Sequence, residues 1–251
     1  MPAPGWSPCP GPDREARVDR DALEEGLSRG ARMVLLTNLH NPTGVLLEAR
    51  EMEEIARACA RAGAVLVVDE VFAEFLPLEK RPPAAHSLNE GAVTLASFTK
   101  AFGLGSLRAG WILASPERVR RLEQINDMVQ VANPTLPFLV LQRILEREED
   151  IRRWIEKEMA RVSQARARLA GSPLLDFPAP AGGVTLFARF PGVEDTGELC
   201  RFLAEKKKVH LVPGAFFGDP SRVRIGLALP GEALDRAVHA LLESLEEIKR
   251  P

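Results

Sequence analysis

Residues 33–72 read MVLLTNLHNPTGVLLEAREMEEIARACARAGAVLVVDEVF. Two short apolar runs, Met33 to Thr37 and Ala64 to Val68, flank a segment of different period. Each run is almost continuously apolar, the pattern of a parallel strand buried on both faces. From Leu47 to Ala62 the apolar positions Met52, Ile55, Ala56, Cys59 and Ala62 recur at helical spacing, and Gly63 is a natural stop. Strand, helix and strand in this length predict a right-handed βαβ unit and an α/β fold built on a parallel sheet.

The pattern continues outward on both sides. Asp19 to Arg29 predicts a short amphipathic helix, acidic early and basic late. Before it, MPAPGWSPCPGP has five Pro in twelve residues and no apolar core, so it reads as a flexible lead-in and not a secretory signal. After the βαβ unit, Leu76 to Gly91 is irregular. A third apolar run, Ala92 to Ala96, ends in Ser97-Phe98-Thr99-Lys100, and Gly110 to Ala114 supplies a fourth. Pro116 to Val131 and Pro137 to Leu169 read as two long helices, the second a spine that stops at Gly171-Ser172-Pro173. Beyond it, strands are expected at 184–190, 209–212 and 222–229, with helices at 198–208 and 232–249. The expected organisation is a lead-in over 1–18, a partial large domain over 19–135, the spine over 136–170 and a small α/β domain over 171–251.

Composition narrows the function. The chain has 251 residues, 45% apolar and 27% charged, which supports a sizeable core. Thirty-three Lys and Arg against 35 Asp and Glu leave a net charge of −2, with no electrostatic footprint for nucleic acid or an anionic membrane. No apolar run approaches a membrane span. Cys9, Cys59 and Cys200 form neither a metal knuckle nor a CxxC pair, so no metal site is expected and a reduced, cytoplasmic setting is the default. The chain has no Tyr against 11 Phe and 3 Trp, so no site that needs a phenol can be built from it.

Polar residues gather where apolar runs end. Asn41, Asp69 and Lys100 each follow such a run, and open α/β sheets bind ligands outside the carboxyl ends of their strands. Singly, each has an ordinary reading: NPTG as a turn, Asp69 as a cap, Lys100 as a solvated lysine, Arg108 as an ion-pair partner. Their order and spacing together carry more. HNPTG (40–44), VVDEVF (67–72), SFTKAFGLGSLRAGW (97–111), VPGAFFG (212–218) and RVRIGLA (222–228) resemble, in that order, the class I/II aminotransferases, which adopt fold type I and use pyridoxal 5'-phosphate. The likeness runs from about Asp19 to the C-terminus, and its SFTK…GSLRAGW block is the most specific part.

The resemblance implies roles for this chain's residues. Lys100 forms the Schiff base with the cofactor aldehyde, attacking as a neutral amine, and later moves the substrate's α-proton. Asp69 pairs with the pyridine nitrogen and keeps it protonated, so that the ring accepts electrons. Asn41 binds the ring oxygen and borders the substrate. Ser97 and Arg108 bind the phosphate, the arginine through its planar fork, with Gly103, Gly105 and Gly110 letting the backbone turn around them. Arg224 grips the substrate carboxylate; Arg222 competes for that role, since strand alternation puts both on one face, but the family pattern R-I/L-x-x-A favours Arg224. The implied reaction moves an amino group between an amino acid and a 2-oxo acid, and the family's usual partner is a second copy in a homodimer.

Two departures stand against the pattern. Phe72 occupies the cofactor-binding position where the family usually has Tyr, so one hydrogen bond to a charged oxygen, about 1.5–3 kcal/mol, is lost. In addition, a full member carries a large part ahead of the NPTG block, including a phosphate-binding turn and an aromatic that stacks on the cofactor. Neither is found before Asn41, which predicts unpaired sheet edges, weak cofactor binding and low stability for a shortened chain. The alternatives are a pyridoxal-phosphate lyase or decarboxylase on the same fold, and a non-catalytic remnant. A dinucleotide-binding reading of Gly103-Leu104-Gly105-Ser106-Leu107-Arg108 fails for want of the third Gly and the distant acid.

Overall fold

A computed structural model of the chain describes residues 18–130 and 134–249. The lead-in expected over 1–18, with Cys9, lies outside the described residues but for its last position. Two compact units emerge: Leu23–His40 with Leu46–Glu156, and Asn41–Val45 with Lys157 onward and the described residues up to Ala22.

In the first unit, α1 (Arg20–Ser28), which joins it from Leu23 on, leads into β1 (Met33–Thr37), α2 (Ala49–Arg61) and β2 (Val65–Asp69). The βαβ reading holds: β1 and β2 pair in parallel, Met33 opposite Val65 through Thr37 opposite Asp69. Helix α2 forms where the 3–4 spacing placed it. Met52, Ile55, Ala56 and Cys59 are its buried stripe, and the Glu51 carboxylate reaches back to accept the Glu48 N–H at its start (3.1 Å). Burying Met52 or Ile55 is worth about 1.5–3 kcal/mol each. A short helix α3 (Ala85–Leu88) sits in the segment expected to be irregular. Then come β3 (Val93–Ser97), parallel to β2, and β4 (Gly110–Leu113), antiparallel to β3. Strand order is β1-β2-β3-β4, so the sheet is mostly parallel and the carboxyl ends of three consecutive strands lie side by side.

The sheet departs from one expectation. Runs this apolar predict burial on both faces, and one face obeys: Leu66 and Val68 are fully buried, and α2 packs against β2. On the other face Met33 is 60%, Leu35 53% and Ile112 46% exposed.

The long-helix reading also changes. Helix α4 (Pro116–Val129) is followed by α5 (Thr135–Leu145) and α6 (Glu148–Ala170), so the expected spine is two helices. The break falls at Glu146-Arg147, where the Arg147 N–H turns back to the Ile144 carbonyl (2.9 Å). The acids Glu148, Glu149 and Asp150 then open α6, where the helix dipole favours negative charge. Hydrogen bonds from Arg153 and Arg147 hold the Asp150 carboxyl below its usual range.

The second unit is a three-stranded antiparallel sheet of order β5-β7-β6, from β5 (Thr185–Arg189), β6 (Val212–Pro213) and β7 (Arg222–Gly226). Its helices are the rest of α6, then α7 (Gly197–Phe202) and α8 (Gly231–Lys249). Leu234, Val238, Leu241 and Leu245 form the buried stripe of α8, and Leu186, Ala188, Val223 and Ile225 the buried face of the sheet. The strand expected at 209–212 is found as two residues, Val212 and Pro213. Among the described residues, no helix is long and apolar enough to cross a membrane.

Candidate active site

At the end of β2, Asp69 Oδ1 accepts the Val71 N–H (3.0 Å), and the Asp69 carbonyl accepts the Asn38 N–H (2.9 Å). The carboxylate is thereby fixed level with the ends of the neighbouring strands. The chain then turns, with Ala73 N–H bonded to the Glu70 carbonyl (2.9 Å), and delivers Phe72 into a buried position stacked on Phe75 (centroids 5.9 Å apart).

Glu70 escaped the sequence reading. Its backbone N–H reaches the Leu95 carbonyl (2.8 Å), while its Oε1 accepts the Ala85 N–H (2.8 Å) and the Thr94 hydroxyl (3.4 Å). One residue thus ties the end of β2 to β3 and to the start of α3. Burial pushes its carboxyl above the usual range, and the neighbouring Asp69 charge adds to this. The available signal was an acid next to the strand-ending acid, which alone does not separate a clamp from a solvated side chain.

Past β3, the loop 98–109 folds on itself. Ser97 Oγ accepts the Thr99 N–H (3.2 Å), Leu104 N–H bonds the Phe98 carbonyl (3.0 Å) and Phe98 N–H the Ala109 carbonyl (3.2 Å). Phe98 anchors the loop in a cluster with Phe102 (5.0 Å) and Trp111 (4.9 Å), packed with Leu141. Lys100, two residues on, is exposed, and its Nζ stands over the Phe72 ring. Arg108 holds a left-handed backbone at φ 52° and donates to the Gly105 carbonyl (3.3 Å). A non-Gly residue there stores about 1–3 kcal/mol of strain, the sort of outlier that marks ligand sites. A Cβ on Gly110 would meet the Ala96 carbonyl at 2.6 Å, so only glycine lets β4 close against β3 behind the loop.

Of the expected site residues, then, Asp69, Phe72, Ser97, Lys100 and Arg108 lie in the first unit, on the ends of adjacent strands. Asn41 and Arg224 lie in the second. There, the Asn41–Val45 turn packs closely: Gly44, at φ +73°, has the Pro180 Cβ 2.7 Å from where its own Cβ would be. The two arginines of β7 differ in their engagements. Arg222 Nε is paired with Asp219 (3.0 Å), and its terminal nitrogen donates to the Phe187 carbonyl (3.1 Å). Among the described residues no carboxylate lies within 4.0 Å of Arg224, which sits over the Phe217 ring (5.9 Å) and whose pKa burial lowers.

These residues suit a phosphorylated pyridine aldehyde. The loop after β3 offers an exposed amine, and Ser97 and Arg108 nearby suit a phosphate, since no carboxylate among the described residues lies within 4.0 Å of Arg108. A carboxylate on the next strand suits a ring nitrogen.

Known proteins resemble this chain in sequence and in fold. The chain is 30% identical to capreomycidine synthase of Streptomyces vinaceus over 241 residues, covering 93% of this chain and 61% of that protein. It is 30% identical to aromatic-amino-acid aminotransferase 2 of Thermococcus litoralis, covering 94% and 63%. A PLP-dependent aminotransferase from Streptococcus suis superposes with a TM-score of 0.84 at 23% identity, over 94% of this chain and 63% of that one. The chain therefore spans about three fifths of the length of the relatives it matches, and its fold is that of the fold type I aminotransferases. The family model for aminotransferase class I and II matches residues 6–241, and the chain belongs to that family.

Proposed function

We propose that this chain is an aminotransferase polypeptide that moves an amino group between an amino acid and a 2-oxo acid with pyridoxal 5'-phosphate. The observation that carries the reading is the placement of Lys100 after β3 and of Asp69 at the end of β2, on adjacent parallel strands.

When bound, the cofactor supplies the electron sink into which the α-carbon's electrons pass. Asp69 keeps the ring nitrogen protonated, its own carboxylate held by the Val71 N–H. The Lys100 amine would hold the cofactor at its aldehyde and would carry the proton away from the substrate α-carbon. Arg108 and Ser97 bind the phosphate. Asn41 borders the ring and substrate, and Arg224 holds the α-carboxylate; its freedom from an acidic partner supports it over the Asp219-bound Arg222. Phe72 supplies an apolar wall where a phenol is usual. A cytoplasmic homodimer completes the proposal, as does the division into a partial large domain (19–135), a connecting segment (136–170) and a small domain (171–251).

Titrating the purified chain with pyridoxal 5'-phosphate tests the reading. A visible band, fixed by borohydride onto Lys100 and altered by added amino acids, is the expected outcome. A chain that forms no band at saturating cofactor is not this enzyme by itself. A second reading, a lyase or decarboxylase on the same residues, is favoured by one observation: Phe72 stands where the family usually has Tyr. Release of CO2 or another fragment from the amino acid, in place of a 2-oxo acid, decides for it.

A further inference from the structure

The Asp69 carboxylate is set by a bond that spans its neighbour. Its Oδ1 accepts the N–H of Val71 (3.0 Å), two residues on, so Glu70 is the middle residue of an Asx turn. Whatever fixes Glu70 therefore fixes both ends of that bond. The sheet holds the peptide between Asp69 and Glu70 on its two sides: its carbonyl accepts the Asn38 N–H (2.9 Å), and its N–H reaches the Leu95 carbonyl (2.8 Å).

The Glu70 side chain adds a restraint that the backbone ladder cannot supply. Alternation sends it to the face opposite Asp69, the face of buried Leu66 and Val68. There its Oε1 accepts the Ala85 N–H (2.8 Å) and the Thr94 hydroxyl (3.4 Å). Both partners are 1% exposed, so the far end of the side chain is anchored in the core. Thr94 Oγ1 in turn accepts the His86 N–H (3.1 Å), and the His86 ring nitrogen Nδ1 meets the Ala92 carbonyl (3.1 Å). One carboxyl thus joins the Asx turn to α3 and to β3. Among the described residues no cation pairs with it, so what it contributes is reach and an acceptor. Burying such a group costs stability. What it secures is the placement of residues 69–71.

We propose that Glu70 is a positioning residue for Asp69: by anchoring the middle of the turn in the core, it holds the Asp69 carboxylate in one place at the end of β2. Its link to the chemistry rests on the reading of Asp69 as the partner of the cofactor's ring nitrogen. A carboxylate free to swing divides its time between that nitrogen and water. One pinned through Val71 and Glu70 stays in line, as the groups behind a reacting side chain must ensure. Glu70 touches neither cofactor nor substrate and acts only through Asp69.

Amide hydrogen exchange on the purified chain, followed residue by residue by NMR, tests this without cofactor. The Val71 N–H reports the Asp69 bond, and the Val68 N–H, on the same strand, reports general opening. In Glu70→Ala, Val71 exchange speeds up about tenfold or more relative to Val68. Glu70→Asp, whose acceptor falls one methylene short of Ala85, gives a smaller change of the same kind. Glu70→Gln keeps the acceptor and stays within about twofold of the parent ratio. A Glu70→Ala chain in which both amides speed up equally, or neither does, overturns the proposal, as does a Glu70→Gln chain that behaves like Glu70→Ala. Where Glu70→Ala fails to fold, Glu70→Asp decides, and a parent-like ratio in it overturns the proposal. With pyridoxal 5'-phosphate bound, the NMR shift of its labelled ring nitrogen moves toward the unprotonated value in Glu70→Ala and Glu70→Asp and holds in Glu70→Gln; an unmoved shift in all three overturns the link to the chemistry. A chain that shows the Val71 pattern but binds no cofactor keeps Glu70 as the residue that positions Asp69 and loses the aminotransferase reading. A chain that binds the cofactor on Lys100 without the Val71 pattern does the reverse.

Discussion

The Lys100 ammonium stands 5.8 Å from the centroid of the Phe72 ring. An aromatic face attracts a cation there by about 0.5–1 kcal/mol at an exposed site. The ring offers no donor, so a bound cofactor meets an apolar wall at this point. Phe72→Tyr adds a hydroxyl where the family usually has one. A hydrogen bond to a charged oxygen is worth about 1.5–3 kcal/mol, so the pH midpoint of the bound cofactor's colour change falls by about 1–2 units. A spectrophotometric pH titration of both proteins checks this, and an unmoved midpoint shows that the hydroxyl does not reach the cofactor.

Arg108 trades backbone ease for the position of its side chain. At φ 52°, replacement by glycine relieves the left-handed strain. Arg108→Gly is expected to raise stability by about 1 kcal/mol in a urea melt while weakening cofactor binding tenfold or more. A variant that loses stability shows that the guanidinium supports the loop instead.

Glu70 predicts a pH signature. Its carboxyl is pushed up in the folded chain by burial. The folded state therefore binds the proton more tightly than the unfolded state. Stability from this group is complete below the ordinary carboxylate range and is lost as pH rises through the elevated folded value. Glu70→Gln keeps an acceptor for the Ala85 N–H and removes the titration. Urea midpoints measured between pH 4 and pH 8, about the span in which a raised carboxylate titrates, should fall with rising pH in the parent and show a flatter profile in the variant. Parallel profiles would assign the dependence to other groups.

The uncovered sheet face predicts association. Met33 and Leu35 are more than half exposed on an edge strand. Leu35→Lys should change stability by less than about 0.5 kcal/mol, as solvent-facing substitutions do, and yet reduce self-association of the chain in light scattering. A large loss of stability would mean that Leu35 is packed in solution.

Much of this was legible in the sequence, for local reasons. β1, β2 and α2 are written in period and run length, and the acids and the lysine at strand ends are readable because an α/β sheet always presents its carboxyl ends to ligands. What stayed hidden depends on pairing across the chain. The break at Glu146-Arg147 lies inside an unbroken helical period and is set by where the acidic first turn of α6 begins. Glu70 is a clamp only because β3 and α3 come to it. Arg222 is engaged only because Asp219 and the Phe187 carbonyl come to it, a pairing no spacing rule predicts.

The missing phenol has an optical consequence. With no Tyr in the chain, near-ultraviolet emission comes from Trp6, Trp111 and Trp154 alone. Trp111 touches Phe98, the anchor of the loop that carries Lys100, and Trp154 lies 3.7 Å from the position a Cβ would take on Gly103 in the same loop. A chromophore absorbing near 400 nm at Lys100 would overlap the indole emission at short range. Quenching of intrinsic fluorescence therefore reports loading of this loop directly, without tyrosine background and without any added label.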